Sequence, residues 1–98
     1  MVDPTALASA VEKAFAADTD LDYWGAIRYA EAAGQVVETI AALVRQGEAA
    51  HAVPLFERAS ELLGLAQQRA DDTAGCLDDL QARVRSGLDE ARAFSIDR

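Results

Sequence analysis

Apolar residues recur at every third or fourth position along most of the chain, which is the spacing of one face of an α-helix. The clearest stretch runs from Val36 to Ala66, where two such patterns meet at Gly47. Because a glycine commonly ends a helix and the two patterns follow each other closely, this stretch predicts an antiparallel helical hairpin. β-branched residues are scattered and never alternate with polar ones, so strands are not expected.

The same spacing before and after this hairpin predicts two more helices. Asp3-Pro4 is typical of a helix start, because the aspartate caps free amides and proline suits the first helical position. Asp20 or Asp22 is expected to cap the next helix in the same way. The predicted helices cover residues 4–17, 22–46, 48–69 and 76–94.

These elements predict a single all-α domain spanning residues 1–98, a four-helix up-down array built on the central hairpin. The connections are short, which favours antiparallel neighbours. Gly34 and Gly64 lie inside predicted helices. A glycine there costs about 1 kcal/mol and usually has a packing reason, so Gly34 predicts a kink or a close crossing and Gly64 predicts the close approach of a neighbouring helix.

Charge limits the classes of partner. The net charge is −8, from 17 acidic against 9 basic residues. Binding to nucleic acid or to an anionic membrane needs a basic face, so neither is expected. The single cysteine, Cys76, allows no intramolecular disulfide, which fits a reducing compartment. The sequence shows no signal-peptide pattern and no apolar run of about 18 residues, and a cytoplasmic location is therefore expected.

The acidic run at residues 18–22 is a candidate for calcium binding. Asp18, Asp20 and Asp22 resemble the opening of an EF-hand loop, which needs glycine at its sixth position and glutamate at its twelfth. Those positions hold Tyr23 and Tyr29. We therefore interpret the aspartates as helix caps rather than calcium ligands.

The remaining candidates for chemistry are few. His51 is the only histidine and Cys76 the only cysteine, whereas a structural zinc site takes four ligands and a nucleophilic pair takes a third, orienting group. Sequence neighbours such as Asp71-Asp72 and Asp78-Asp79 do not face each other on a helix and resemble caps. No catalytic residue, cofactor or metal site is predicted, and the chain is not expected to be an enzyme.

Half of the six aromatic residues lie within seven positions, as Tyr23, Trp24 and Tyr29, with Arg28 among them. Trp, Tyr and Arg are enriched at the energetic centres of protein interfaces, so Trp24, Arg28 and Tyr29 are candidate partner-binding residues. The alternative, which we favour from sequence, is that Trp24 is buried and anchors the first helix against the hairpin.

Part of the hairpin resembles the second helix of a tetratricopeptide repeat. The positions that carry this resemblance are Gly47, Ala52, Phe56 and Ala59, whose small members let two helices approach closely. The proline that ends such a helix and the upstream W-x-x-L-G-x-x-Y signature are missing. The resemblance implies one tetratricopeptide-like hairpin rather than an array of repeats.

Residues 22–95 also resemble the helical region of bacterial SWIM zinc-finger proteins. Tyr29-Ala30, Val36-Val37, the helix end at Gly47 and the run from Asp71 to Leu80 carry this likeness. It implies an accessory, non-catalytic region that mediates interactions. The C-x-C…C-x-H zinc finger itself is absent, so no metal or nucleic-acid role passes to any residue here.

Three functional hypotheses follow from the sequence. The first is a non-enzymatic helical protein-interaction or scaffold module. The second is a small acidic regulator, of the antitoxin or immunity type, that binds a basic protein surface and does so less tightly at high salt. The third is a homodimer whose apolar stripes are completed by a second copy, which concentration-dependent melting would reveal.

Overall fold

A computed structural model describes residues 3–17, 20–70 and 75–96 of the chain. These residues form four α-helices: α1 (Pro4–Phe15), α2 (Tyr23–Arg45), α3 (Ala49–Arg69) and α4 (Cys76–Ile96). Within them there is no strand, and a single parallel bridge joins Leu21 to Ala70. The predicted all-α class is confirmed, and each predicted helix end lies within two residues of the observed one.

Local signals set the starts of the first two helices. The Asp3 carboxylate accepts a hydrogen bond from the Thr5 amide at 3.0 Å, with Pro4 at the first helical position. The Asp22 carboxylate accepts one from the Gly25 amide at 2.6 Å. Each bond satisfies an amide that has no partner inside its own helix. The predicted caps at Asp3 and Asp22 are therefore confirmed.

The turn between α2 and α3 is a Schellman motif centred on Gly47. Its φ is +83°, a left-handed conformation that favours glycine. The Glu48 amide donates to the Leu43 carbonyl at 2.9 Å, and the Gly47 amide donates to the Val44 carbonyl at 3.1 Å. These two bonds satisfy carbonyls at the end of α2. Because α3 begins immediately afterwards, α2 and α3 form the antiparallel hairpin that the sequence predicts.

Helices α1 and α4 pack on opposite sides of this hairpin. Each contacts both α2 and α3, and no described Cα atom of α1 lies within 8 Å of one in α4. Three fully or largely buried side chains hold α1 in place: Leu7, Val11 and Phe15. Two paired contacts show that α4 runs antiparallel to α3, since Gln67 bonds Gln81 and Glu57 bonds Arg92.

The core lies along the hairpin and draws large side chains from all four helices. The most completely buried are Val11, Phe15, Ile40, Leu43, Phe56, Leu63, Leu77, Leu80 and Val84. Each such side chain contributes roughly 1.5–3 kcal/mol by leaving water. Among the described residues none that is polar or charged is fully buried, so this core depends on apolar packing.

Close approach between helices occurs at a glycine that the sequence did not single out. A Cβ atom on Gly87 of α4 would lie 2.5 Å from Cζ of the buried Phe56, so only glycine fits there. At Gly34 a Cβ atom would lie 3.1 Å from Nη1 of Arg83, which is also close. Nothing lies within 4 Å of such an atom at Gly64, so the predicted close approach there is wrong.

Candidate protein-interaction surface

The residues considered for chemistry lie far apart or serve as caps. His51 is an exposed residue at the start of α3, while Cys76 is the first residue of α4, beside the end of α3. Because α3 and α4 are antiparallel, the two lie at opposite ends of the domain. No group of three or more His, Cys, Asp or Glu residues able to hold a metal ion occurs in the described part of the chain.

Asp22, Asp78 and Asp79, which belong to the acidic runs of the sequence, lie at helix starts. Asp22 caps α2. The exposed Asp78 and Asp79 occupy the first turn of α4, where the positive end of the helix dipole stabilises their negative charge. Asp18 and the pair Asp71-Asp72 lie outside the described residues.

The most unusual surface feature is an aromatic pair at the start of α2. Tyr23 and Trp24 are its first two residues, with exposed fractions of 42% and 63%. Their rings meet edge to face, with centroids 5.3 Å apart and planes at 74°. Edge-to-face contact is a preferred arrangement of aromatic rings. The start of α2 therefore presents two paired apolar rings to solvent.

The expectation that Trp24 is buried is wrong, and helix geometry gives the reason. The buried stripe of α2 begins at Ala26 and continues through Tyr29 and Ala33. At 3.6 residues per turn, Trp24 lies about 200° around the helix from Ala26, so it faces away from the core. Arg28, one turn after Trp24, is exposed on the same side of α2.

Tyr29 has the anchoring role that the sequence assigned to Trp24. Its hydroxyl donates a hydrogen bond of 2.7 Å to the Phe15 carbonyl, the last residue of α1. The two rings also meet edge to face, with centroids 6.2 Å apart. Burial raises the pKa of the Tyr29 phenol above its ordinary value. Only 8% of Tyr29 is exposed, so the structure separates it from the surface that Trp24 and Arg28 share.

We use the name aromatic surface for Tyr23, Trp24 and Arg28. Tyr23 belongs to it although the sequence did not select that residue as a site. Its ring contact with Trp24 follows from adjacency at a helix start, but its exposure depends on how the other helices pack. The described ion pairs do not include Arg28, so its charge is available to a partner.

Among the described residues, grooves lie between α1 and α2, between α1 and α3, and between α2 and α4. The α1/α2 groove, of about 580 Å³, has four alanines among its ten lining residues, and Asp3 and Lys13 are its charged residues. The α1/α3 groove, of about 590 Å³, contains Glu12 and Arg58, which form a bidentate ion pair at 2.8 and 3.2 Å. Opposite charges therefore balance in both grooves beside α1. The third groove, between α2 and α4, has more acidic than basic residues in its lining.

Comparison with known proteins leaves the family of this chain open. No protein-family model matches the sequence. No curated protein and no solved structure is significantly similar to it. In the described residues, no helix has the length and apolar character needed to cross a membrane. Function must therefore be inferred from the surface itself.

Proposed function

We propose that this chain is a non-enzymatic helical module that binds another protein through the aromatic surface. The observation that carries the proposal is the 63% exposure of Trp24. A large apolar side chain held in water is stabilised when a partner covers it, and Trp is one of the three residue types enriched at the energetic centres of interfaces. The adjacent Tyr23 and Arg28 add two more residue types that interfaces favour.

The proposal includes the likenesses drawn from the sequence. A tetratricopeptide-like hairpin and the helical region that accompanies SWIM zinc fingers are both interaction elements, which agrees with a binding role. The single cysteine, which allows no intramolecular disulfide, supports a cytoplasmic setting.

Capture of a partner protein from cell extract tests this function. The wild-type chain and Trp24→Ala are immobilised and exposed to extract from the source cells. We expect a protein that the wild type retains and that Trp24→Ala loses. Leu65→Ala is the matched control, because Leu65 exposes 58% of its surface on a different helix. Equal capture by the wild type and Trp24→Ala, with both folded by circular dichroism, would contradict the proposal.

A second candidate, the small acidic regulator, is favoured by the net charge of −8. Such a protein would associate through long-range attraction, so its association rate should fall steeply with salt. A partner held by Trp24 through apolar contact should show much weaker salt dependence. Repeating the capture at low and high salt distinguishes the two. Sedimentation equilibrium of the purified chain shows whether the partner is a second copy.

A further inference from the structure

The groove between α2 and α4 has a floor of small residues. Its lining includes Ala30, Gly34 and Ala41 from α2, and Ala82, Ser86 and Gly87 from α4. It consists of two neighbouring depressions of about 370 and 390 Å³, and the Glu38–Arg83 ion pair borders both. Because the floor side chains are short, a helix laid along the groove would approach the two backbones closely once the Arg83 guanidinium, which lies over Gly34, moves aside.

The edges of the same groove are acidic. Glu31 and Glu38 line it from α2, and Asp79 and Glu90 line it from α4. Arg83 is the one basic residue in the lining, and its guanidinium pairs with Glu38 at 3.5 Å. Three carboxylates of the groove are thus left without a cation among the lining residues. The two grooves beside α1 lack this excess of negative charge.

Exposed aromatic residues lie at both ends of the groove. Tyr23 precedes the lining residue Ile27 by four positions on α2, and Phe94 follows the lining residue Glu90 by four positions on α4. Residues four apart lie on the same side of a helix, so both aromatics continue the lining. They are 42% and 51% exposed. Between them α2 alone, with 23 residues, spans about 34 Å.

We propose that the α2/α4 groove binds a basic amphipathic helix of about 20 residues on a partner protein. The inference rests on the proposed interaction function and names the chemistry of the partner. Apolar side chains of that helix contact the small-residue floor and the two aromatics. Its lysine or arginine side chains meet Glu31, Asp79 and Glu90 at the edges. Helix-in-groove recognition of this kind places apolar anchors three and four residues apart.

A synthetic peptide tests the groove directly. The probe is a fluorescein-labelled 20-residue helix with leucine at helical spacing and lysine elsewhere, and binding is measured by fluorescence anisotropy. A second peptide with glutamate in place of lysine is the charge control. We expect the leucine–lysine peptide to bind the wild-type chain and the leucine–glutamate peptide not to bind.

Variants of the protein then locate the binding. Ala82→Trp fills the groove from an exposed position, and we expect it to weaken binding by about tenfold or more, which corresponds to at least 1.4 kcal/mol. Ser86→Lys, also at an exposed position, places a cation in the same groove and provides a second test if Ala82→Trp fails to fold. Leu65→Ala, which changes an exposed apolar residue of α3 outside the groove, is the control and should leave binding unchanged.

Two triple variants separate groove charge from net charge. Glu31→Gln, Asp79→Asn and Glu90→Gln remove the three groove carboxylates that have no cation among the lining residues. The triple Glu48→Gln, Glu61→Gln and Asp89→Asn removes the same number outside it. We expect the first triple to weaken binding by about tenfold and the second by about threefold at most.

The proposal would be overturned if the leucine–lysine peptide did not bind the wild-type chain. It would also be overturned if Ala82→Trp and Ser86→Lys both bound the peptide as well as the wild type does, or if the two triple variants lost affinity equally. Loss of cellular capture by Trp24→Ala alongside any of these results would leave the interaction function standing and reject only the groove. Failure of that capture experiment, with the peptide results as expected, would reject the aromatic surface instead.

Discussion

Helices α1 and α4 pack on opposite sides of the α2–α3 hairpin with different kinds of side chain. Phe15 of α1 is fully buried and its carbonyl accepts the Tyr29 hydroxyl. On the other side, α4 brings Gly87 against the Phe56 ring, where no Cβ atom fits. The α1 side is therefore held by inserted bulk alone and should be sensitive to lost volume. The α4 side also inserts Leu77, Leu80 and Val84, and its close approach at Gly87 makes that point sensitive to added volume as well.

The surfaces beside α1 and α4 also differ, in the balance of their charges and in the size of their side chains. Around α1, charged residues occur as balanced pairs such as Glu12 with Arg58. Between α2 and α4, short side chains leave an open groove whose edges are acidic. Close approach at one place and an open groove beside it have a common origin, since small residues bring backbones together and leave little side chain to cover the surface.

Loss of volume on the α1 side should produce the largest effect. We expect Phe15→Ala to lower the free energy of unfolding by about 3–5 kcal/mol, because a fully buried phenylalanine leaves a cavity beside Tyr29. Urea denaturation measures this. Phe94→Ala, at a side chain that is 51% exposed, is the matched control and should cost much less. Similar losses for the two variants would contradict the description of α1 as anchored by inserted bulk.

Added volume on the α4 side should come next. We expect Gly87→Ala to destabilise the domain by about 1–3 kcal/mol, since the new methyl group overlaps the Phe56 ring. The matched control is Gly64→Ala, where nothing lies within 4 Å. The higher helix propensity of alanine should there raise stability by up to about 1 kcal/mol. Opposite signs in thermal melts are the expected result, and stabilisation by both changes would refute the close approach at Gly87.

The smallest effect concerns the single hydrogen bond between Tyr29 and α1. Tyr29→Phe should cost about 1 kcal/mol at neutral pH, because the Phe15 carbonyl loses its hydroxyl donor. Burial raises the pKa of Tyr29, so the folded protein keeps the phenol proton longer than the unfolded chain, whose ordinary value is 10.0. This stabilising contribution is complete below pH 10.0 and is lost as pH rises above it.

Urea denaturation of the wild type and Tyr29→Phe between pH 8 and pH 11 measures that dependence. The wild-type protein should lose stability above pH 10 more steeply than the variant, and the stability difference between them should shrink. Parallel curves for the two proteins would show that the Tyr29 phenol is not shielded from ionisation.

Much of the fold could be predicted because its signals are local. Asp22 and Gly47 act on amides and carbonyls within a few residues of themselves, so their roles follow from neighbours in sequence. Trp24 could have been placed more accurately from the same data, because it lies outside the stripe that begins at Ala26. Its clustering with other aromatics suggested burial, while the helical phase indicates exposure.

The sequence by itself determined where the helices begin and end and which stripes are apolar, because hydrogen bonds within a helix and side-chain spacing depend on residues a few positions apart. Only the tertiary structure decided that Tyr29 rather than Trp24 ties α1 to the hairpin, and that Gly87 rather than Gly64 meets a neighbour. It also brought the carboxylates of α2 and α4 to one groove. Those contacts join residues far apart in the chain, and their partners depend on how the helices pack.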